Sequence, residues 1–462
     1  MKGKSEMDSH QKSAILVGVS TAFVTTFAGS ALNLPIPDMG THLGMGAASV
    51  GWFVTIYTLV IAAFSTPFGK LADTTGRRRI LIIGVAGFGI TSIVCTFAPN
   101  ALLLLSARVL QGLSSSMIFA TNMPIAISAF PGEERGKAIG LVTSGTYVGL
   151  AMGPVLGGIL NNWLGWKSIF IFGTAVSVIA LITILKGVDR DIIEKTELKQ
   201  DVAGNVIYVF MIATFIYGLT SFNSISFGWM FIVTALVLGV VFTKIELASD
   251  NPMIDVRIFA SNMTYTLSNL TALFNYSATF ALSYLISIYL QVVVGFSSQM
   301  AGIVLITQPL FMAVLSPRMG KLSDRVAPYK LASLGMGLCA VSLSFFIFIK
   351  SSTPLIMVII ALAIAGIGIS LFSSPNTNVI MGCVPPAKFA VANSILATMR
   401  TTGQSSGMAI ITLVVSGTIG NVSLYEVSAE QLIGTIHIAF IIFTCLCAAG
   451  IFMSLQRKHV KK

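Results

Sequence analysis

An all-α polytopic membrane fold, two six-helix bundles with two helices inserted between them, is what this sequence predicts. Three observations lead there. Charged residues make up 10% of the 462 and hydrophobic ones 55%, whereas a soluble domain carries about 25% charged residues. Apolar runs recur along the whole length, each long enough to cross a bilayer as a helix. The pattern G-K-L-x-D occurs twice, at Gly69–Asp73 and Gly320–Asp324, 251 residues apart. That doubling marks a repeated unit.

Taken in chain order, the first six spans are expected near Ser13–Ile36, Ser49–Phe68, Arg79–Phe97, Leu102–Ala129, Ala138–Leu160 and Ser168–Leu185. Helices are forced because backbone polar groups in lipid must satisfy one another. The first run is too long for a cleavable signal. A basic turn, Gly69–Arg79, separates the second run from the third. The longest polar interruption, Lys186–Gly204, follows the sixth. Two spans come next, near Asn205–Ser221 and Phe227–Thr243. After the polar stretch Asp250–Asn262 the last six lie near Met263–Val294, Met300–Ser316, Leu331–Ile349, Pro354–Met381, Val391–Val415 and Leu432–Leu455. The expected organisation is residues 1–186 as one bundle, 187–262 as linker and inserted pair, and 263–462 as the second bundle. A 251-residue repeat offset exceeds one six-helix unit and fits a unit plus an inserted pair.

The basic residues set the orientation. Of 28 Lys and Arg, 24 fall on one side of this zigzag; only Lys167 and Lys350 fall on the other, and Arg108 and Arg400 lie within spans. Such a split places both termini in the cytoplasm. It also accounts for the net charge of +11 as a face turned to anionic lipid, not to nucleic acid. Four of the five cysteines sit in apolar runs and Cys383 near a helix end, with no C-x-x-C pair or His cluster. They read as packing residues, and neither a metal nor a cofactor is expected. No G-x-x-x-x-G-K-[ST] loop is present to cradle a nucleotide. The energy source is then a gradient rather than ATP, and the chain reads as a secondary transporter and not as an enzyme.

Several motifs are shared with a known family. Gly69-Lys70-Leu71-Ala72-Asp73-Thr74-Thr75-Gly76-Arg77-Arg78-Arg79, Leu104-x3-Arg108-x2-Gln111-Gly112 and Gly149-x3-Gly153-Pro154-x2-Gly157-Gly158 occur in order on the second to fifth spans. Asn33-x3-Pro37 and Pro252-x2-Asp255-x3-Phe259 add partial matches. On these the chain resembles the major facilitator superfamily, within it the fourteen-helix branch of drug:proton antiporters. The resemblance implies alternating access by two rocking bundles, a small-molecule cargo, proton exchange and a monomer in the plasma membrane. It implies a gating latch at Gly69, Asp73, Gly76, Arg77, Arg135 and Asp324, with Asp73 facing the helix that begins near Lys388–Asn393. The other reading of these charges is topology alone.

Gly145, Gly149, Gly153 and Gly157 share one helix face, with Pro154 and Gly158 beside it. Small residues let two backbones approach in lipid, and the resemblance makes this face a hinge against helix 10. Arg108 lies in a span, where a charge costs at least ~2.5–3.5 kcal/mol, so it faces inward and has partners; Asn33 and Gln111 are neutral ones. The resemblance ties it to proton coupling, yet Ala28 stands where the branch carries an acid, and the nearest acid is Asp38. Asn33, Asn122, Asn275, Tyr276, Gln308 and Asn376, with Arg108, are the expected cargo contacts, or else satisfied packing groups. His437 is the embedded group whose free pKa is nearest neutral: a hydrogen-bonded structural residue or, with Asp38 and Arg108, a proton carrier. Two functions stand: a proton-coupled exporter of amphipathic drugs, or a differently coupled carrier of a lipid-like or metabolic solute.

Overall fold

The computed structural model describes residues 7–33, 35, 39, 42–43, 52–130, 134–188, 201–220, 227–419 and 428–457, and among them the regular structure is helical throughout. The helices are α1 Ser9–Ser30, α2 Trp52–Thr75, α3 Arg77–Phe97, α4 Ala101–Ser128, α5 Arg135–Leu164, α6 Lys167–Gly187, α7 Val202–Thr220 and α8 Gly228–Ala248. They continue as α9 Met263–Ile288, α10 in two segments, Ser298–Leu305 and Thr307–Ser323, α11 Pro328–Phe346, α12 Leu355–Gly382, α13 Phe389–Thr418 and α14 Ala429–Gln456. Polar side chains start several of them. Asp8 and Gln11 form a reciprocal cap on α1, and Asn100, Asn262 and Ser428 accept first-turn amides of α4, α9 and α14.

Thirteen helices among the described residues are long and apolar enough to cross a membrane. The expected span Val391–Val415 lies on α13, which is outside that set. Its 30 residues suffice in length, but Asn393, Ser394, Thr398, Arg400 and Gln404 dilute its apolar character. Large apolar side chains such as Phe97, Leu102, Trp163 and Phe348 stand exposed, while Arg108, Gln111, Asn269 and Asn275 are buried. An apolar exterior around polar interior groups is the arrangement a bilayer stabilises.

The chain forms two compact units. One comprises 1–200 with 320–324 and 384–395; the other comprises 201–319, 325–383 and 396–462. In the first, α1 packs on α4, α5 and α6, α3 on α4 and α6, and α2 on α4. The contacts α1·α4, α1·α6, α3·α4 and α3·α6 recur in the second unit as α9·α12, α9·α14, α11·α12 and α11·α14, each shifted by eight helices. Glycines mark matching close approaches: Gly112 on the Tyr57 carbonyl of α2, and Gly366 on the Gln308 carbonyl of α10. The helices α7 and α8 pack on each other. The Tyr208 hydroxyl of α7 lies 3.0 Å from that of Thr398 on α13.

One local expectation is corrected. The basic stretch Gly69–Arg79 is not a turn throughout: Gly69–Thr75 are the last two turns of α2, and Arg77 already opens α3. The break is Gly76 alone, at φ 109°, a backbone region where a Cβ is strained. Likewise Gly320–Ser323 end α10.

Candidate functional site

The two G-K-L-x-D carboxylates do the same thing at two places in the first unit. Asp73 accepts the amides of Ala390 and Val391, at 3.2 and 3.1 Å, in the first turn of α13. Asp324 accepts those of Gly136 and Lys137, at 2.7 and 3.0 Å, in the first turn of α5. A helix amino end carries unpaired N–H groups and a partial positive charge, so an acid four residues after the motif glycine fits both. The glycines have their own reason. A Cβ on Gly69 would lie 2.5 Å from Ser394 Oγ and 2.9 Å from the Ala390 carbonyl, and one on Gly320 would overlap the Gly136 carbonyl. Only glycine lets each helix end come close enough for its acid to reach.

Arg77 completes the first cap. Its Nε donates to Asp73 at 2.9 Å and its Nη2 stands 2.8 Å from the same carboxylate. It also donates to the Pro386 carbonyl and to Ser128 Oγ. Arg78 donates to the carbonyls of Val188 and Leu185, at the carboxyl end of α6, where the helix dipole favours a cation.

Arg108 is fully buried on α4. Its Nε donates to the Phe53 carbonyl at 2.9 Å, its Nη1 to Gln111 Oε1 at 2.5 Å, and its guanidinium stands 4.2 Å from the centre of the Tyr57 ring. Gln111 passes the chain on to Ser92 Oγ of α3 at 2.7 Å. The Tyr57 hydroxyl donates to the Thr25 carbonyl of α1 at 2.9 Å and lies 2.8 Å from Ser115 Oγ. A carbonyl, an amide and an aromatic face meet the charge, while Nη2 has no hydrogen-bond partner among the described residues. Gln111 is thus a partner, as its position suggested. The side chain of Asn33, and Asp38 entirely, lie outside the described residues. Every described acid inside a helix stands in a terminal turn: Asp73, Glu246 and Glu430.

The glycine face of α5 packs on α1. The nearest atoms to a Cβ on Gly145, Gly149, Gly153 and Gly157 belong to Val19, to Phe23 and Thr26, to Ser30, and to Ala31. Across this seam Thr26 Oγ1 donates to the Thr146 carbonyl at 3.1 Å and Ser30 Oγ to that of Gly149 at 3.3 Å. The neighbour of this face is therefore α1, in place of the helix 10 that the family resemblance implied. Pro154 lies inside α5 without ending it.

The remaining polar groups are mostly engaged. In the first unit Asn122 is buried and its Oδ1 accepts from the Met123 amide at 2.7 Å. In the second, the Tyr276 hydroxyl lies 3.1 Å from Ser373 Oγ, and Gln308 Oε1 accepts from Ser283 at 3.0 Å. His437 Nε2 donates to the Ile349 carbonyl at 2.7 Å. Asn376 is held on both sides: its Nδ2 donates to the Ser268 carbonyl and its Oδ1 accepts from Arg457 at 2.8 Å. Asn275 is fully buried, beside Cys339.

Three residues escaped the sequence reading. Arg457 counted as one more surface cation, but it is 4% exposed and also donates to Ser268 Oγ and the Ser454 carbonyl. Its place just after the apolar run, where snorkelling is the ordinary outcome, hid it. Glu246 is 1% exposed and accepts the Ile254 amide at 3.0 Å, tying α8 to the segment before α9. Phe389, at the start of α13, lies under both Arg77 and Arg135, at 5.7 and 5.4 Å.

Comparison with known proteins gives this geometry a family. The model for the Major Facilitator Superfamily matches residues 18–248 and 269–462. The chain is 31% identical to the riboflavin transporter RibZ of Clostridioides difficile, over 86% of this chain and 85% of that protein. It is 29% identical to the multidrug resistance protein Stp of Mycobacterium tuberculosis, over 82% and 71%. Its fold is similar to the crystal structure of the human organic anion transporter MFSD10, with a TM-score of 0.69 and 13% identity over 96% of this chain and 99% of that one. With thirteen membrane-length helices and a family match over most of its residues, the chain belongs to the Major Facilitator Superfamily and is a multi-pass membrane transporter similar to that family's drug-efflux members.

Proposed function

We propose that this chain exports amphipathic drugs or toxic compounds across the plasma membrane, in exchange for protons, by alternating access. The pair of carboxylate caps carries the reading. A transporter that alternates needs contacts firm enough to define a state and weak enough to release each cycle. A carboxylate at a helix amino end stabilises by ~0.3–1 kcal/mol, up to about 2 kcal/mol when partly buried, within reach of what cargo or proton binding supplies. Asp73 and Asp324 then form a gating latch, with Gly69, Gly76, Arg77 and Arg135 positioning it. The multidrug resistance protein Stp supports a drug cargo. The glycine face of α5, with Pro154 and Gly158, is read as the stiff seam about which the bundle moves. In this reading α13 is the fourteenth span, α7 and α8 are the inserted pair, the chain acts as a monomer, and both termini are cytoplasmic. Cysteine replacing the exposed Ser351 should then be labelled from outside intact cells, and cysteine replacing the exposed Arg325 should not; the reverse pattern would reject the topology.

A second reading, a carrier of a metabolic solute, is favoured by the similarity to a riboflavin transporter and by the confinement of described helical acids to terminal turns. Reconstituted vesicles decide between them, with a cationic dye, a zwitterionic drug and riboflavin as cargo, with and without an imposed pH gradient. Drug movement accelerated by the gradient is the expected result. Riboflavin movement alone would favour the carrier, and indifference to the gradient would remove proton exchange. In the same assay Asp73→Asn should slow transport by about fivefold, the equivalent of about 1 kcal/mol, at normal yield of folded protein.

A further inference from the structure

The two caps belong to different helices, yet one aromatic ring lies under an arginine at each. Phe389 is the first residue of α13, the helix whose next two amides Asp73 accepts. Its ring is buried. The Arg77 guanidinium stands over it at 5.7 Å from the centroid and the Arg135 guanidinium at 5.4 Å. Arg77 is the ion-pair partner of Asp73. Arg135 is the first residue of α5, the helix whose next two amides Asp324 accepts. All of these residues lie in the first compact unit.

The placement answers an electrostatic problem. Arg77 opens α3 and Arg135 opens α5, the helix end where the dipole disfavours a cation. Asp73 compensates Arg77 in part, but its oxygens also serve backbone amides, as do those of Asp324 at the start of α5. An aromatic face offers a guanidinium further attraction without taking any of those acceptors. Because one ring serves both cations and belongs to the turn that Asp73 caps, motion of that turn reaches both caps.

We propose that Phe389 is a positioning residue that couples the two caps, so that release of either loosens the other. When the first turn of α13 leaves Asp73, Phe389 leaves with it. Arg135 then loses its aromatic partner at an unfavourable helix end, and the Asp324 cap beside it weakens. Loss of the Asp324 cap lets the start of α5, and Arg135 with it, shift off the ring, which frees Phe389 and its turn. Two weak contacts thereby act as one gate. This rests on the latch reading above.

The test is a double-mutant cycle on vesicle transport rate. Asp73→Asn, Asp324→Asn and the pair are compared in the wild-type and Phe389→Leu backgrounds, where leucine keeps an apolar filler and removes the ring. With Phe389 present, the pair should be no slower than the slower single variant, within about twofold. With Phe389→Leu the two effects should multiply, leaving the pair slower than either by about threefold to tenfold. Phe389→Tyr keeps the ring and should behave as wild type. Arg135→Gln removes one cation from the ring and should uncouple the caps as Phe389→Leu does; it serves where the leucine variant does not reach the membrane. Normal transport in both single Asp variants would reject the latch and the coupling with it. Impaired singles whose effects multiply equally in both backgrounds would overturn the coupling and leave the latch standing.

Discussion

Arg108→Ala is expected to abolish transport, and Arg108→Lys to cut it by about tenfold or more. The guanidinium uses its planar fork on two partners at once, the Phe53 carbonyl and Gln111 Oε1, while its face lies on the Tyr57 ring. A lysine ammonium is a point donor and cannot hold all three. Alanine would leave the buried Gln111 Oε1 without its donor, at about 1–3 kcal/mol, and would take a donor from the Phe53 carbonyl. The charge is also expected to shape cargo choice. No described carboxylate pairs with it, and in a low-dielectric interior its field acts over several ångströms. Neutral, zwitterionic or acidic drugs should therefore compete better than permanent monocations. Paired assays on wild type and both variants, with a quaternary ammonium dye and a zwitterionic drug, check this. Export of the dye at the normal rate by Arg108→Ala would sink it.

How far the sequence could be read depended on whether a feature is local. Apolar runs and a doubled motif are local, so the helices and the repeat were legible in the sequence, whereas the carboxylate partner of α13 came from the family resemblance. Asp73 was expected to meet the start of the helix near Lys388–Asn393 and does so at Ala390 and Val391. The extension of α2 through Thr75 was hidden because Lys70 and Asp73 look like the end of a span; a helix leaving the membrane keeps its hydrogen bonds and loses only its apolar pattern. The partner of the α5 glycine face was not legible, since small residues announce a close approach without naming the neighbour. Arg457 and Asn376 show the converse. One was counted as surface and the other as a cargo contact or else a satisfied packing group, and they are bonded to each other at 2.8 Å, a pairing 81 residues apart in sequence with no periodic signal.

Gly153→Ala is expected to destabilise the protein severely, and Ser30→Gly to restore most of the loss. A Cβ on Gly153 would overlap Ser30 Oγ and lie 2.8 Å from Ser30 Cβ and 3.1 Å from the Ala31 amide nitrogen. The first two atoms belong to a side chain that can be removed; the third is backbone, in a contact tight but open to a small adjustment. With Ser30 in place, α1 and α5 must separate, which breaks the bonds from Thr26 to the Thr146 carbonyl and from Ser30 to the Gly149 carbonyl. Overpacking of a close seam costs about 1–3 kcal/mol, and each interhelical bond lost in lipid adds about 0.6 kcal/mol. These losses outweigh the gain of about 1 kcal/mol that alanine has over glycine within a helix. The control is Gly337→Ala on α11, where an added Cβ meets nothing within 4 Å. That variant should melt at or slightly above the wild-type temperature in detergent. Gly153→Ala should melt well below it and transport poorly, and the Ser30→Gly/Gly153→Ala pair should regain both. If Gly153→Ala melts with the Gly337→Ala control, or if removing the Ser30 side chain rescues nothing, then α1 does not rest on the α5 glycine face and the stiff seam assigned to it is wrong.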